Sequence, residues 1–278
     1  MSIQEILKIL TDSGIEPREA NIETKMLIEH FCDFSPTDLI LGKKLDYEKL
    51  EIAKEKAKLR AQTKQPIQHI IGYAHFMGEK FIVNPDVLIP RDETEILVRK
   101  AIQLIKENNF KTALDIGTGS GCIACMVAKN TECQVIGTDI STSALNTALD
   151  NATRLHLNNK AIFRKSDIFS NIKPGEIFDI IISNPPYIPT SEMYNLQTEV
   201  KFDPEIALFT EDALGLEFYE KISVEAGSIL NKGGYLLFEL GKGQSKEVKS
   251  TMTYNGFENI EIIKDLAGID RVISGKLI

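Results

Sequence analysis

The chain has no tryptophan, four cysteines among 278 residues and only 7% aromatic residues. It also lacks any long apolar run, and each scarcity excludes something. Four scattered cysteines, Cys32, Cys122, Cys125 and Cys133, do not make the disulfide framework of a small secreted domain, so a reducing, cytoplasmic compartment is expected. No stretch approaches the roughly 20 apolar residues of a membrane span. Met1 to Leu10 carries Glu5 and Lys8 without an apolar block and cleavage site, so no secretion signal is expected. An excess of basic charge is also missing. With 32 Lys+Arg against 40 Asp+Glu the formal net charge is -8, which argues against wide, sequence-blind contact with nucleic-acid phosphates. What remains, 43% hydrophobic and 26% charged, is an ordinary globular composition long enough for one large or two small domains.

The charge is unevenly placed. Residues 1–42 carry 3 basic and 8 acidic side chains, whereas 43–64 carry 8 and 4. The basic stretch from Lys43 to Lys64 reads as a solvated helix face, with a docking surface for an acidic partner as the sharper alternative. Cys122-x-x-Cys125 looks like half a zinc or redox site. No second Cys or His pair stands at metal spacing, however, and Cys122-Ile-Ala-Cys125-Met-Val-Ala reads as buried helix. Both thiols are therefore expected to be compact core residues, with no metal bound.

Three regions follow from periodicity. Over residues 1–66, apolar positions recur at helical spacing (Ile3, Ile6, Leu7, Leu10; Leu50, Ala53, Ala57, Ala61). Pro17, Pro36 and Gly42 punctuate them, giving a small helical domain. Residues 67–90 read as a β-hairpin linker, with Ile70 to Tyr73, Phe76 to Gly78 and Lys80 to Val83 as short strands. From residue 91 onward a helix opens at Asp92 to Glu95, and strands then alternate with helices. The expected strands are Thr112–Ile116, Gln134–Asp139, Ala161–Arg164, Phe178–Ser183, Gly234–Leu240, Ile260–Lys264 and Arg271–Ser274. Helices are expected between most of them, including one capped by Ser141 and one over Leu214–Leu230. Such alternation predicts an α/β fold with a mostly parallel seven-stranded sheet. The last two strands have no helix between them and should form an antiparallel edge.

Two motifs carry chemistry. Asp115-Ile-Gly117-Thr118-Gly119-Ser120-Gly121 follows a strand and opens a helix, so glycine can admit a ligand close to the backbone. Asp139 ends the next strand, where a carboxylate can take both ribose hydroxyls of an adenosine. Asp115 would stand near a cationic tail. The G-x-G-x-G spacing suits S-adenosylmethionine better than NAD. The second motif, Ser183-Asn184-Pro185-Pro186-Tyr187, follows the fourth strand. Its prolines fix φ and remove two donors. The Asn184 side-chain oxygen and the Pro185 carbonyl can then accept from one –NH2 group, beside the aromatic face of Tyr187. That fits a planar amide or an exocyclic amine.

With these motifs the sequence resembles the peptide chain release factor N5-glutamine methyltransferase family. The same resemblance extends over Pro66-Ile-Gln-His-Ile-Ile-Gly72, Phe76-Met-Gly78, Val83 to Arg91, Glu93-Thr-Glu95, Glu239-Leu-Gly241-x-x-Gln244 and Asp265 to Arg271. The helical N-terminus matches only in character. Asp92, Asp203-Pro204 and Leu214 depart from the family pattern outside both motifs. The resemblance implies a Rossmann-like class I methyltransferase fold. It also implies methyl transfer from S-adenosylmethionine, leaving S-adenosylhomocysteine, to the glutamine of the Gly-Gly-Gln motif of class 1 release factors, in support of translation termination. Asn184, Pro185 and Tyr187 would be catalytic. Pro186 and Leu88 would join them around the substrate, with Ile89 beside Leu88. Asp115, Gly117, Thr118, Gly119, Ser120, Gly121, Asp139 and Asn184 would hold the cofactor, and Asp167 and Ile168 would border its adenine. The helical domain would dock the release factor. A monomer without stable nucleic-acid binding or membrane attachment is expected. His30, His69, His75 and His156 lie in no motif and are read as structural, as are Gln244 and Arg271. The rival readings are methylation of an exocyclic base amine, which calls for a basic groove, a non-catalytic cofactor-binding protein, and NAD-dependent oxidoreduction.

Overall fold

The computed structural model describes residues 3–35, 37–38 and 41–278, which fall into two compact units. One comprises Met1–Tyr73 with Gln197–Phe202, the other Ala74–Leu196 with Asp203–Ile278. The break expected at Pro36 lies outside the described residues. No helix among the described residues is long and apolar enough to cross a membrane.

In the first unit, α1 (Ile3–Asp12), α2 (Pro17–Cys32), α3 (Tyr47–Thr63) and α4 (Ile67–Ile71) pack around Ile6, Leu10, Leu27, Leu50, Ala53 and Ala57. Asp46 caps α3, its side chain accepting from the Glu48 N–H at 2.9 Å. The uneven charge of the sequence is reconciled here by pairing. Lys54 bonds Glu5 at 2.9 Å, Lys43 pairs with Asp38, and Arg60 meets Glu23 at 2.9 Å and Glu199 at 3.0 Å. Arg60 is 1% exposed, so the last basic residue of α3 is a buried ion-pair centre and not part of a solvated face. The strand expected at Ile70–Tyr73 is corrected except at Tyr73, which opens the first strand. Pro66 starts and Gly72 ends a helical turn, the Gly72 N–H donating to the Gln68 carbonyl at 2.8 Å. Ile67 and Ile71, four apart, share its buried face.

The second unit begins within the hairpin of β1 (Tyr73–Phe76) and β2 (Glu79–Ile82). Phe76 and Phe81 anchor it in the core, and the Asn151 side chain holds β2 through the Ile82 N–H at 2.7 Å and C=O at 3.0 Å. Helix α5 (Thr94–Asn108) follows. The chain then alternates through β3 (Thr112–Ile116), α6 (Cys122–Asn130), β4 (Gln134–Asp139), α7 (Thr142–Arg154), β5 (Ala161–Lys165) and β6 (Phe178–Ser183). After β6 come β7 (Ile188–Pro189), two short 3-10 turns, α8 (Glu205–Leu208), β8 (Phe209–Thr210), α9 (Glu217–Ile229), β9 (Leu230–Glu239), α10 (Ser245–Tyr254), β10 (Phe257–Lys264) and β11 (Asp270–Leu277).

The seven long strands order as β10-β11-β9-β6-β3-β4-β5. All neighbours from β9 to β5 run parallel, and β11 lies antiparallel between β9 and β10. Side-chain alternation splits the core. Ile180, Ile182 and Leu237 face the cluster of α5 and α6, while Leu114, Ile181, Leu236 and Phe238 face that of α9 and α10. Cys122 and Cys125 are buried in α6, and burial pushes the Cys122 thiol up to about 12. The helix expected from Leu214 begins only at Glu217. The Asp212 carboxylate takes the Leu216 N–H at 2.6 Å and the Leu214 N–H at 3.2 Å, and so holds those residues in a turn.

Candidate active site

Chain order reverses between β3 and β6, which are neighbours in the sheet although two strands separate them in sequence. A crevice opens at such a switch point outside the carboxyl ends of the strands. It is here a cavity of about 320 Å³. Both motifs reach it. Gly117 and Gly119 line it from the loop after β3, Asp139 from the end of β4, and Asp167 and Ile168 from the segment after β5. Asn184, Pro185 and Pro186 line it from the segment after β6, and Leu88 from the chain before α5.

The loop after β3 is built to leave space. The Gly117 and Thr118 N–H groups donate to the Thr138 carbonyl at 2.9 and 2.8 Å, which ties the loop to β4. Gly117 and Gly119 adopt φ of +71° and +53°, and a methyl added at either Cα would meet nothing within 4 Å. Their missing side chains form a cradle. Asp139 fixes its rim, accepting the Gly119 N–H at 2.9 Å on one oxygen and the Ser141 N–H at 2.9 Å on the other. Beneath lies Asp115, with no solvent exposure. Its Oδ2 accepts from the Thr118 hydroxyl at 2.6 Å and from the Ala124 N–H in the first turn of α6 at 3.2 Å. Its Oδ1 is buried with no hydrogen-bond partner, and burial pushes the carboxyl up to about 7. An unpaired carboxylate oxygen under a glycine cradle, with a second acid on the rim, fits a nucleoside with a cationic tail.

Asn184 follows β6 directly. Ser183 anchors this turn, its hydroxyl donating to the Ile116 carbonyl at 2.8 Å. Behind it, Gln244 Nε2 donates to the Tyr187 carbonyl at 3.0 Å and to the Leu214 carbonyl at 2.9 Å. Tyr219 donates to the Glu239 carbonyl at 3.0 Å. Gly215 closes the bracket, since a Cβ there would overlap the Tyr187 carbonyl and Gln244 Nε2.

The structure does not bring every expected residue to the cavity. Thr118 is spent on Asp115, and the Ser120 carbonyl accepts from Asn151 at 2.9 Å. These residues and Gly121 shape the loop from beneath. The Tyr187 ring is turned away from the cavity against Gly241 and Gln244, and burial pushes its phenol up. Ile89 is buried beside the lining, its N–H bonded to Asp203 at 3.3 Å. Asp203 also holds Arg91 at 2.5 Å, and Arg271 is held by Asp265 at 2.9 Å. Ile140, Ile206 and Phe218 complete the apolar wall, with no local sequence signal to announce them. Thr94 and Glu239 stand behind Asn184. Both lie in segments that carry the family resemblance, but nothing in the sequence joined them to Asn184.

A mostly parallel seven-stranded sheet with its last pair reversed, a glycine cradle at the switch point and an Asn-Pro-Pro-Tyr turn beside it define a Rossmann-like methyltransferase. Residues 92–201 match the family model described as "Methyltransferase small domain". The chain belongs to the release factor glutamine methyltransferase family. It is 38% identical over 259 residues to the enzyme of that name from Neisseria gonorrhoeae, covering 92% of this chain and 93% of that protein. It is 41% identical over 220 residues to the one from Fusobacterium nucleatum, covering 78% of this chain and 62% of that protein. Among solved structures, a methyltransferase from Pyrococcus furiosus shares the fold with a TM-score of 0.52 and 22% identity, over 72% of this chain and 90% of that one. The T. thermophilus 16S rRNA N2 G1207 methyltransferase, solved with AdoMet and guanosine, aligns with a TM-score of 0.53 and 16% identity over 74% of this chain and 50% of that one.

Proposed function

We propose that the chain methylates the side-chain amide nitrogen of the glutamine in the Gly-Gly-Gln motif of class 1 release factors, using S-adenosylmethionine, and so supports translation termination in the cytoplasm. The observation that carries this reading is the Asn184-Pro185 turn beside the glycine cradle, in a chain of this family. In the bound cofactor a sulfonium offers its methyl group with a neutral thioether as leaving group. Asp139 is oriented by its two backbone donors to take a ribose diol. Asp115 offers its unpaired oxygen to the cationic tail. Asp167 and Ile168 stand where an adenine edge is met.

An amide nitrogen is a poor nucleophile because its lone pair is delocalised. The Asn184 Oδ1 and the Pro185 carbonyl accept the two N–H hydrogens of the substrate amide and aim the lone pair for in-line attack. The contribution is positioning, with charge stabilisation by the same acceptors as the nitrogen becomes positive. The surplus proton leaves afterwards to water. Leu88 and Pro186 enclose the substrate's methylenes. Tyr187 acts through its backbone, held by Gln244, while its ring supports the turn. The helical unit supplies the docking surface for the release factor, and the enzyme acts as a monomer.

The test is transfer of labelled methyl to a purified release factor and to its Gln-to-Ala variant, by this enzyme and by Asn184→Ala. The wild type labels only the glutamine form. Asn184→Ala lowers single-turnover rate by more than about tenfold, the scale of a lost positioning bond. Equal labelling of both substrates removes the function, and an unchanged rate in Asn184→Ala removes the two-acceptor arrangement.

A further inference from the structure

An asparagine amide can present either its oxygen or its –NH2 to a substrate, and only the oxygen serves here. We propose that Thr94 and Glu239 are positioning residues that lock the Asn184 side chain with its oxygen toward the reacting amide. This inference rests on the two-acceptor reading above.

The register places the three groups together. Ser183 of β6 pairs with Phe238 of β9, so Asn184, the first residue past β6, comes beside Glu239, the last residue of β9. Thr94 opens α5 and reaches the same point. Glu239 is 2% and Thr94 3% exposed, so water does not serve as an alternative partner. The Thr94 hydroxyl donates to Glu239 Oε2 at 2.6 Å. Its single hydrogen is thereby spent, and toward Asn184 it can only accept. Asn184 Nδ2 lies 3.4 Å from that oxygen and donates to it. With Glu239 ionised the group facing Asn184 is therefore an acceptor, and burial, which pushes that carboxyl up to about 7, makes the lock strongest above neutral pH. An amide flipped by 180° would set Oδ1 against a hydroxyl oxygen whose hydrogen is held by Glu239, with no hydrogen between them and little water to screen the clash. With Nδ2 committed backward, Oδ1 stands on the opposite side of the planar amide, the side left for substrate. Neither positioning residue touches the reacting atoms. They act through Asn184.

The experiment is a double-mutant cycle on the full-length enzyme with a release factor as substrate. Thr94→Val removes the hydroxyl at nearly constant volume, and Thr94→Ser keeps it. Thr94→Val is expected to lower kcat at least about tenfold, with KM for the release factor within about twofold. Thr94→Ser is expected to restore kcat to within about threefold of the parent. In an Asn184→Ala background Thr94→Val is expected to cost nothing further, because the group it orients is gone. In the free enzyme the Asn184 side-chain amide proton resonances, assigned by their loss in Asn184→Ala, should exchange slowly with solvent and become fast in Thr94→Val. A merely structural role for Thr94 predicts additive losses in the cycle and equal damage from Val and Ser. Either result overturns the proposal, as does a kcat in Thr94→Val within twofold of the parent. If Thr94→Val does not fold, Glu239→Gln goes through the same cycle under the same criteria. Should Asn184→Ala itself leave turnover intact, the two-acceptor reading fails. Should Asn184→Ala be crippled and Thr94→Val be active, only the lock fails.

Discussion

Replacing Asp115 by Asn should make the free enzyme more stable and the cofactor bind worse. Asp115 has no solvent exposure, and one of its oxygens has no partner. Burial outweighs the bonds from Thr118 and the Ala124 N–H and raises the carboxyl from 3.8 to about 7. Between these values the folded protein holds a proton that the unfolded chain has released, so stability falls as pH rises from about 4 to 7. A gap of about 3 pH units corresponds to about 4 kcal/mol of penalty carried by the ionised form above pH 7. Asn keeps the acceptor for Thr118 and Ala124 and removes the charge. It also leaves an –NH2 without an acceptor, which returns roughly 2 kcal/mol. The net expectation at pH 8 is a gain of roughly 2 kcal/mol in the free enzyme, shrinking to nothing or reversing near pH 5. Affinity for S-adenosylmethionine moves the other way. Only the ionised carboxylate rewards the cationic tail, so the apparent affinity of the wild type should fall about tenfold between pH 8 and pH 6, as the competent fraction falls. In Asp115→Asn it should be weak and flat with pH. Chemical denaturation at pH 8 and pH 5, with isothermal titration calorimetry across the same range, measures both. A less stable Asp115→Asn at pH 8, or a wild-type affinity independent of pH, would refute the reasoning.

Other consequences are cheaper to check. Arg60→Met leaves Glu23 buried without its partner and should cost about 3–5 kcal/mol in urea unfolding of the helical unit, most of it recovered by adding Glu23→Leu. A loss below about 1 kcal/mol would mean that the buried pair is unimportant. Gly215→Ala should lower kcat and cost about 1–3 kcal/mol in thermal stability by displacing the Tyr187 carbonyl from Gln244. An unaltered melting curve and rate would show that the bracket behind the turn is not needed. Reversing charge at Lys54 and Lys58 tests the docking role of α3. Release-factor affinity and its salt dependence should both drop, and if neither moves, binding does not use this face.

Local chemistry was legible in the sequence, and long-range pairing was not. The strands β3, β4 and β6 stand within the expected bounds because a short apolar run stopped by a Gly, Asp or Ser-Asn-Pro turn has few other readings. The glycine loop and Asn184-Pro185-Pro186 announced themselves because backbone freedom and its removal are properties of single residues. Of the strand expected at Ile70–Tyr73 only Tyr73 is strand, and Ile70 and Ile71 end a helical turn, because two or three apolar residues fit either period. Its caps, Pro66 and Gly72, decided it. Tyr187 was expected to face the substrate, whereas its ring fills the space behind the turn, a choice made by Gly241 and Gln244 more than fifty positions away. The same holds for Glu239, which the sheet register sets beside Asn184, and for Thr94, which reaches both from the start of α5. The basic excess of residues 43–64 looked like a face for an outside partner. Much of it is answered from within the unit by Glu5, Asp38, Glu23 and Glu199.

The central claim is that the amide lodged against Asn184 and Pro185 belongs to a release-factor glutamine. It is tested most directly by the mass of the release-factor peptide bearing the Gly-Gly-Gln motif, recovered after incubation with enzyme and S-adenosylmethionine and fragmented to place the added group. The expected mass is that of one methyl on the glutamine side chain, absent without enzyme and slower to appear with Asn184→Ala. A peptide of unchanged mass beside active turnover of the cofactor on another substrate, or a methyl placed on any other residue, would contradict it.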